Sequence, residues 1–128
     1  MGLAPDQQKQ NTAPALLPKI SLLEVADDSN IQQKLATTKG LSLVYLWGEN
    51  CKPCGVYSPQ VEEIAKEFSG RVKGFKFDAE RNLNFPEEHN VRGLPTVIIF
   101  RDGQQKQLIL GAEPDKLRKA LTDEAGQK

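Results

Sequence analysis

The sequence has few residues that bind metals, no excess of either charge and no long hydrophobic run. Its 128 residues include two cysteines and one histidine, too few for a four-ligand zinc site, so we expect no metal. Lysine plus arginine and aspartate plus glutamate number 17 each, so nothing favours a nucleic-acid partner. No apolar stretch approaches the roughly 20 residues of a membrane-spanning helix, and we expect no membrane span.

The N-terminus also lacks the basic and apolar segments of a signal peptide. We expect a cytoplasmic protein, although a trimmed exported or periplasmic form would have the same sequence. Residues 1–18 are rich in proline, glutamine and asparagine, which predicts a flexible N-terminal extension. We expect one domain over residues 19–123 and a frayed C-terminal tail over residues 124–128.

Hydrophobic patterning predicts the element order β, α, β, α, β, α, β, β, α. Residues 41–47 form a nearly continuous apolar run bounded by glycines, which is typical of a central strand. The residues after it repeat at helical spacing, with Pro59 expected to kink that helix. Residues 96–100 predict a strong strand, followed by a hairpin whose return strand carries Leu108 and Leu110 in alternation. Alternating elements with a closing hairpin predict a mixed sheet between helices.

The two cysteines lie three positions apart, in the segment Cys51-Lys52-Pro53-Cys54. A Cys-x-x-Cys pair between a strand and a helix is typical of a redox dithiol. Cys51 is expected at the helix N-terminus, where unpaired N–H groups and the helix dipole favour a thiolate. We therefore predict that Cys51 is the nucleophile and that Cys54, one turn further and facing inward, attacks the mixed disulfide. Lys52 adds a nearby cation, and Pro53 restricts the turn.

A structural disulfide is the alternative use of this pair. A loop closed by a three-residue spacing is very short and constrains the unfolded chain little. The redox interpretation is therefore favoured.

A second motif, Gly93-Leu94-Pro95, directly precedes the strongest predicted strand. Taken alone, it favours an ordinary loop proline at a strand start. The alternative is a cis proline whose rigid turn exposes backbone to a bound peptide.

In combination, these motifs resemble the thioredoxin family. Trp47, the two cysteines, Pro59, the 93–95 motif and a later glycine occur in the family's order and spacing over roughly residues 19–123. The resemblance implies an α/β thioredoxin fold, a central mixed β-sheet of four to five strands flanked by helices on both faces. It also implies that Pro95 is cis and lies beside the cysteines. A shallow substrate groove would then be formed by Trp47, Asn50, Ala79, Gly93, Leu94 and Gly111.

The chain departs from the family's pattern at three positions. Tyr45 stands where the family usually has a buried aspartate that helps to deprotonate the inner cysteine, Asn50 replaces a tryptophan, and Lys52 replaces a glycine. Lys76 matches the lysine beside that aspartate, so we expect Tyr45 and Lys76 beneath the cysteine pair. Because a phenol has a pKa of about 10, we hypothesise that Cys54 loses its proton less readily and that mixed disulfides resolve slowly. The alternative is that Tyr45 only fills core volume.

The resemblance and the cysteine pair together predict a thiol–disulfide oxidoreductase, a protein-disulfide reductase of electron transport and cell redox homeostasis. It would need no cofactor beyond the redox-active Cys51–Cys54 disulfide. Its partners would be protein disulfide substrates and a reductase or thiol donor that regenerates it, and we expect a monomer. Two alternatives remain: an exported disulfide oxidase or isomerase of the same fold, and a non-catalytic peptide-binding or assembly module.

Overall fold

The structure, a computed structural model, describes residues 22–126. The elements in this range are β1 Leu23–Ala26, α1 Ile31–Ala36, β2 Leu41–Trp47, α2 Lys52–Glu67, β3 Val72–Asp78, α3 Asn84–Glu88, β4 Thr96–Arg101, β5 Gln104–Leu110 and α4 Pro114–Ala125. Their order is the predicted one. The predicted extension over residues 1–18 lies outside the described residues. Between residues 22 and 126, no helix has the length and apolar character needed to cross a membrane.

The strands of this range form one sheet in the order β1-β3-β2-β4-β5. β1, β3 and β2 run parallel, whereas β4 and β5 are antiparallel to their neighbours. The predicted mixed sheet is therefore confirmed. β2 lies in the middle, and its residues 41–46 are all buried. Because β2 and β3 are parallel and Trp47 lies opposite Asp78, the segments that follow these two strands meet at one edge of the sheet.

Apolar side chains cover both faces of the sheet, because successive residues of a strand point in opposite directions. Leu43 and Tyr45 of β2 join one buried cluster with residues of α2 and α4. Val44 and Leu46 join a second cluster with residues of α1 and α3. Helices therefore lie on both faces, as the resemblance implies. Lys76 lies opposite Tyr45 in the β2–β3 register, which places it on the α2 face.

The β5 strand is covered on one face only. Ile109 is buried in the cluster that includes α4. Leu108 and Leu110, whose alternation marks this strand in the sequence, are exposed. The alternating pair thus lies on the face of β5 that α4 does not cover.

The last helix, α4, continues through Ala125, so the stretch expected to fray begins inside it. The Arg101 guanidinium donates a hydrogen bond to the Glu124 carbonyl and lies 3.7 Å from the Glu124 carboxylate. Because Arg101 belongs to β4, this contact fastens the end of the helix to the sheet. No signal within the helix itself predicts such a partner.

Candidate active site

The cysteines lie at the start of α2, directly beyond the C-terminal end of central strand β2. Cys51 is the N-cap of α2, and Pro53 is in its first turn. The Cys51 N–H donates to the Gly48 carbonyl at 3.2 Å, and the Cys54 N–H donates to the Cys51 carbonyl at 3.1 Å. The two cysteines form a disulfide with Cα atoms 5.4 Å apart. A tight turn therefore brings both sulfurs to the positive end of a 16-residue helix, where negative charge is stabilised.

The two sulfur-bearing residues differ in access to solvent. Cys54 is 3% exposed, whereas Cys51 is only partly buried. The first turn of α2 carries no acidic residue, and Lys52 is exposed there. An outside disulfide can therefore approach Cys51 and cannot readily approach Cys54.

A cleft of about 400 Å³ opens over the cysteines. It is lined by Trp47, Gly48, Glu49, Cys51, Lys52, Cys54, Gly55, Ser58 and Lys76. The Lys76 ammonium lies 5.1 Å from the centre of the Trp47 ring, a cation–π distance. The Lys76 ammonium therefore borders the cleft where the cleft meets the sheet, and Trp47 forms part of the cleft wall.

Tyr45 lies beneath this cleft and is fully buried, with 0% of its surface exposed. Its ring packs edge-on against Tyr57 with centroids 5.8 Å apart. Its hydroxyl lies 2.6 Å from the Ser58 hydroxyl and within hydrogen-bond distance, 3.4 Å, of the Cys54 carbonyl. Tyr45 therefore fills core volume and also links the sheet to the helix turn that carries Cys54.

Burial governs the ionisation of both phenols. It raises the pKa of Tyr57 to about 12. It also raises the pKa of Tyr45, although the hydrogen bond to Ser58 acts in the opposite direction. Neither phenol ionises near neutral pH, so Tyr45 cannot accumulate as a phenolate base there.

Asn50 is held by a carboxylate that sequence reasoning did not find. The Glu80 carboxylate accepts hydrogen bonds from the Asn50 N–H at 3.0 and 3.2 Å and from its side-chain amide at 3.2 Å. Glu80 follows β3, and Asn50 follows the parallel strand β2, so the sheet brings them to the same edge. The carboxylate therefore anchors the loop that leads into Cys51.

The absence of a side chain at Gly48 leaves space for the Glu80 carboxylate that binds Asn50. A Cβ atom at Gly48 would lie 2.4 Å from a Glu80 carboxylate oxygen, so Gly48→Ala should displace the carboxylate. Asn50 would then lose its hydrogen bonds to Glu80, which are worth about 1 kcal/mol or more. The rate of amide hydrogen exchange at Asn50 should therefore rise by roughly tenfold. Glu80→Ala should have the same effect, and the double variant should show no further increase.

The matched control is Gly55→Ala, because a Cβ there would have no atom within 4 Å. This variant should leave exchange at Asn50 unchanged. Additive effects of Gly48→Ala and Glu80→Ala would show that Gly48 acts independently of the carboxylate.

The remaining groove residues lie at the same end of the sheet as the cysteine cleft, because Thr96 pairs with Leu46 and with Leu110. The peptide bond from Leu94 to Pro95 is cis, and the Pro95 carbonyl accepts a 2.8 Å hydrogen bond from the Gly111 N–H. A neighbouring depression of about 380 Å³ is lined by Ala79, Leu83, Pro86, Glu87, Val91, Arg92, Gly93 and Leu94. The Ala79 N–H donates to the Trp47 carbonyl at 2.9 Å, so the two depressions adjoin at the ends of β2 and β3.

Two titratable residues lie apart from the cysteines. The His89 ring packs at a tilt against Phe85, with 4.3 Å between ring centres, at the end of α3. Glu24 has its pKa lowered to about 2 by hydrogen bonds from Lys34 and then Lys73, which ties β1 to α1 and β3. Its perturbation is therefore explained by structural ion pairs. Among residues 22–126, no cluster of three or more metal-ligating side chains occurs.

Ser58 is the other residue that sequence reasoning missed. It lies four residues after Cys54, so helical spacing places the two on one face of α2. That spacing is the signal that could have identified it. The opposing partner, Tyr45, comes from the sheet and is not predicted by the spacing.

An α/β fold with a partly exposed cysteine at a helix N-terminus, disulfide-bonded to a buried one, defines a protein that exchanges disulfides with other thiols. The thioredoxin family model matches residues 22–123. A thioredoxin from Rickettsia felis is 35% identical over 67% of this chain and 82% of its own length. A chloroplastic M-type thioredoxin from Pisum sativum is 30% identical over 74% of this chain and 55% of its own length.

A solved structure gives the same fold. The Malassezia sympodialis thioredoxin superposes with a TM-score of 0.75 at 24% identity, covering 84% of this chain and 94% of its own. The chain belongs to the thioredoxin family. With the Cys51–Cys54 pair in place, it is a thiol–disulfide oxidoreductase that acts on protein disulfides.

Proposed function

We propose that the protein works as a reductant of protein disulfides, with Cys51 attacking first and Cys54 completing the exchange. The observation that carries this order is the difference in exposure: Cys51 is partly exposed, and Cys54 is 3% exposed. The direction is supported by the relatives, which are named thioredoxins.

The reaction begins from the reduced dithiol. The Cys51 thiolate attacks one sulfur of the substrate disulfide, which forms a mixed disulfide and releases the other substrate sulfur as a thiolate. Cys54 then loses its proton and attacks the Cys51 sulfur, which releases the second substrate thiolate. The substrate gains two electrons, and the protein leaves as the Cys51–Cys54 disulfide found in the structure.

Each part of the surrounding surface has a role in this proposal. Lys52 and the N-terminus of α2 favour the Cys51 thiolate, while Pro53 keeps the two sulfurs in one turn. Pro95 and the groove residues Trp47, Asn50, Ala79, Gly93, Leu94 and Gly111 would receive the substrate backbone. No prosthetic group takes part in the sequence of steps.

Regeneration requires an outside reductant, since every turnover oxidises the pair. We propose a reductase or a thiol donor as that partner. A reducing compartment such as the cytoplasm fits this cycle, because a dithiol can be kept reduced there.

Redox equilibrium with glutathione tests the direction of exchange. The oxidised fraction is measured by alkylating free thiols and determining the mass of the protein by mass spectrometry. We expect a midpoint of about −270 mV, as for reducing thioredoxins, whereas values above about −200 mV are those of isomerases and oxidases. A midpoint in the higher range would contradict the proposal and favour the exported oxidase or isomerase.

A further inference from the structure

The hydroxyl pair of Tyr45 and Ser58 occupies an unusual place for two polar groups. Tyr45 is fully buried, yet its hydroxyl lies 2.6 Å from the Ser58 hydroxyl at the floor of the cysteine cleft. Ser58 and Cys54 both line that cleft and lie one helical turn apart. The pair therefore borders the cleft that also holds Cys54, the residue whose thiol must ionise during the second step.

The bonding of this pair has two alternative directions. If Tyr45 donates to Ser58, the Ser58 proton is free to point into the cleft. If Ser58 donates to Tyr45, the Tyr45 proton points to the Cys54 carbonyl, 3.4 Å away. A helical serine commonly bonds the carbonyl four residues earlier, and here Tyr45 holds the serine hydroxyl in another contact. A negative charge on Cys54 favours the first direction.

We propose that Ser58, held by Tyr45, is a positioning residue that stabilises the Cys54 thiolate during resolution of the mixed disulfide. The Cys54 proton passes to water in the cleft, and the thiolate attacks Cys51. The bond between Cys51 and the substrate breaks, and the substrate leaves as a thiolate. Because the raised pKa of Tyr45 keeps its phenol protonated, Tyr45 donates a hydrogen bond and accepts no proton.

Charged side chains around the cleft also influence the stability of the Cys54 thiolate. Glu49 and Lys52 border the cleft from the active-site loop and the helix start, and Lys76 borders it from β3. Tyr45 faces it from β2, and Tyr57 packs against Tyr45 from α2. Lys76 and Lys52 attract the thiolate and Glu49 repels it, whereas Ser58 is the side chain lining the cleft that hydrogen-bonds to the buried Tyr45 hydroxyl.

Stopped-flow reaction of the reduced protein with 5,5′-dithiobis(2-nitrobenzoic acid) separates the two steps. The first coloured thiolate reports attack by Cys51, and the second reports resolution by Cys54. Ser58→Ala should slow the second release about tenfold at pH 7 and move its half-maximal pH up by about one unit, since hydrogen bonds to charged groups are strong. The first release should stay within twofold of the wild type.

Variants distinguish this role from a structural one. Ser58→Thr keeps the hydroxyl and should restore the second release to within about threefold of the wild type. Tyr45→Phe should slow the second release less than Ser58→Ala does, and the double variant should match Ser58→Ala. Equal slowing of both releases, or slowing by the same factor at every pH, would overturn the proposal.

The inference rests on the proposed order of attack. The order is tested separately by comparing adduct formation on Cys51 in Cys54→Ser with that on Cys54 in Cys51→Ser, since each variant keeps one cysteine. Faster adduct formation on Cys51, together with an unchanged pH profile in Ser58→Ala, would reject the role of Ser58 alone. Equal or faster adduct formation on Cys54 would reject the order itself.

Discussion

Cys51→Ser should abolish protein disulfide reduction, lowering turnover by at least about a thousandfold. A serine hydroxyl does not ionise near neutral pH, so no nucleophile would remain at the partly exposed N-cap of α2. Cys54 cannot replace it, because it is 3% exposed and an outside disulfide cannot reach it. Insulin reduction with dithiothreitol as the regenerating thiol measures the loss.

Cys54→Ser is the matched control, since it makes the same atomic change one helical turn away. It should also lose turnover, but for a different reason: Cys51 still attacks, and the reaction stops at the mixed disulfide. Mass spectrometry with a disulfide-bonded peptide should therefore find a stable adduct on this variant and none on Cys51→Ser.

Both variants lack the disulfide, so their unfolding should be compared with that of the reduced wild type. Similar midpoints for all three would show that the losses are chemical. An adduct forming on Cys51→Ser as fast as on Cys54→Ser would contradict the assigned roles.

Much of the fold was predictable because the sequence repeats at the periods of strands and helices. The nearly continuous apolar run of β2 predicts its central place, and residues 41–46 of that strand are buried. The position of Cys51 followed from the same pattern, since the cysteines come between that strand and an amphipathic helix. Gly93-Leu94-Pro95 was less informative by itself, and its cis form was expected only from the family resemblance.

The contacts that shape the site were harder to predict because they join residues distant in sequence. Glu80 bonds Asn50 across 30 positions, and this contact depends on two loops whose side chains have no periodic pattern. Ser58 could be placed near Cys54 by helical spacing. Its hydrogen bond to Tyr45 depends on how α2 packs against the sheet. That packing cannot be predicted from the sequence of either segment alone.

The position of Tyr45 leads to a test that separates stability from rate. Tyr45→Asp should lower the free energy of unfolding by about 3–5 kcal/mol, because it removes a large buried ring and leaves a cavity beside Tyr57. Burial should raise the pKa of the new carboxyl. The folded state then binds more protons than the unfolded one, so the loss of stability should grow as pH rises from about 4 towards that raised pKa. Urea unfolding at pH 5 and pH 7 measures both effects.

The same substitution should accelerate resolution. A carboxylate under Cys54 can accept its proton, a role that a buried phenol cannot fill, and general bases of this kind contribute roughly a hundredfold or more. We expect the second thiolate release to become at least about tenfold faster at pH 7, while the first release stays unchanged.

Tyr45→Asn is the matched control for this test, because it leaves the same cavity without a group that accepts a proton near neutral pH. It should lose similar stability and gain no rate. Tyr45→Phe keeps the ring and should lose only about 1 kcal/mol, the value of the hydroxyl contact with Ser58. If folded Tyr45→Asp and Tyr45→Asn resolve mixed disulfides at the wild-type rate, proton loss from Cys54 is not limiting. Tyr45 would then act only by filling the core.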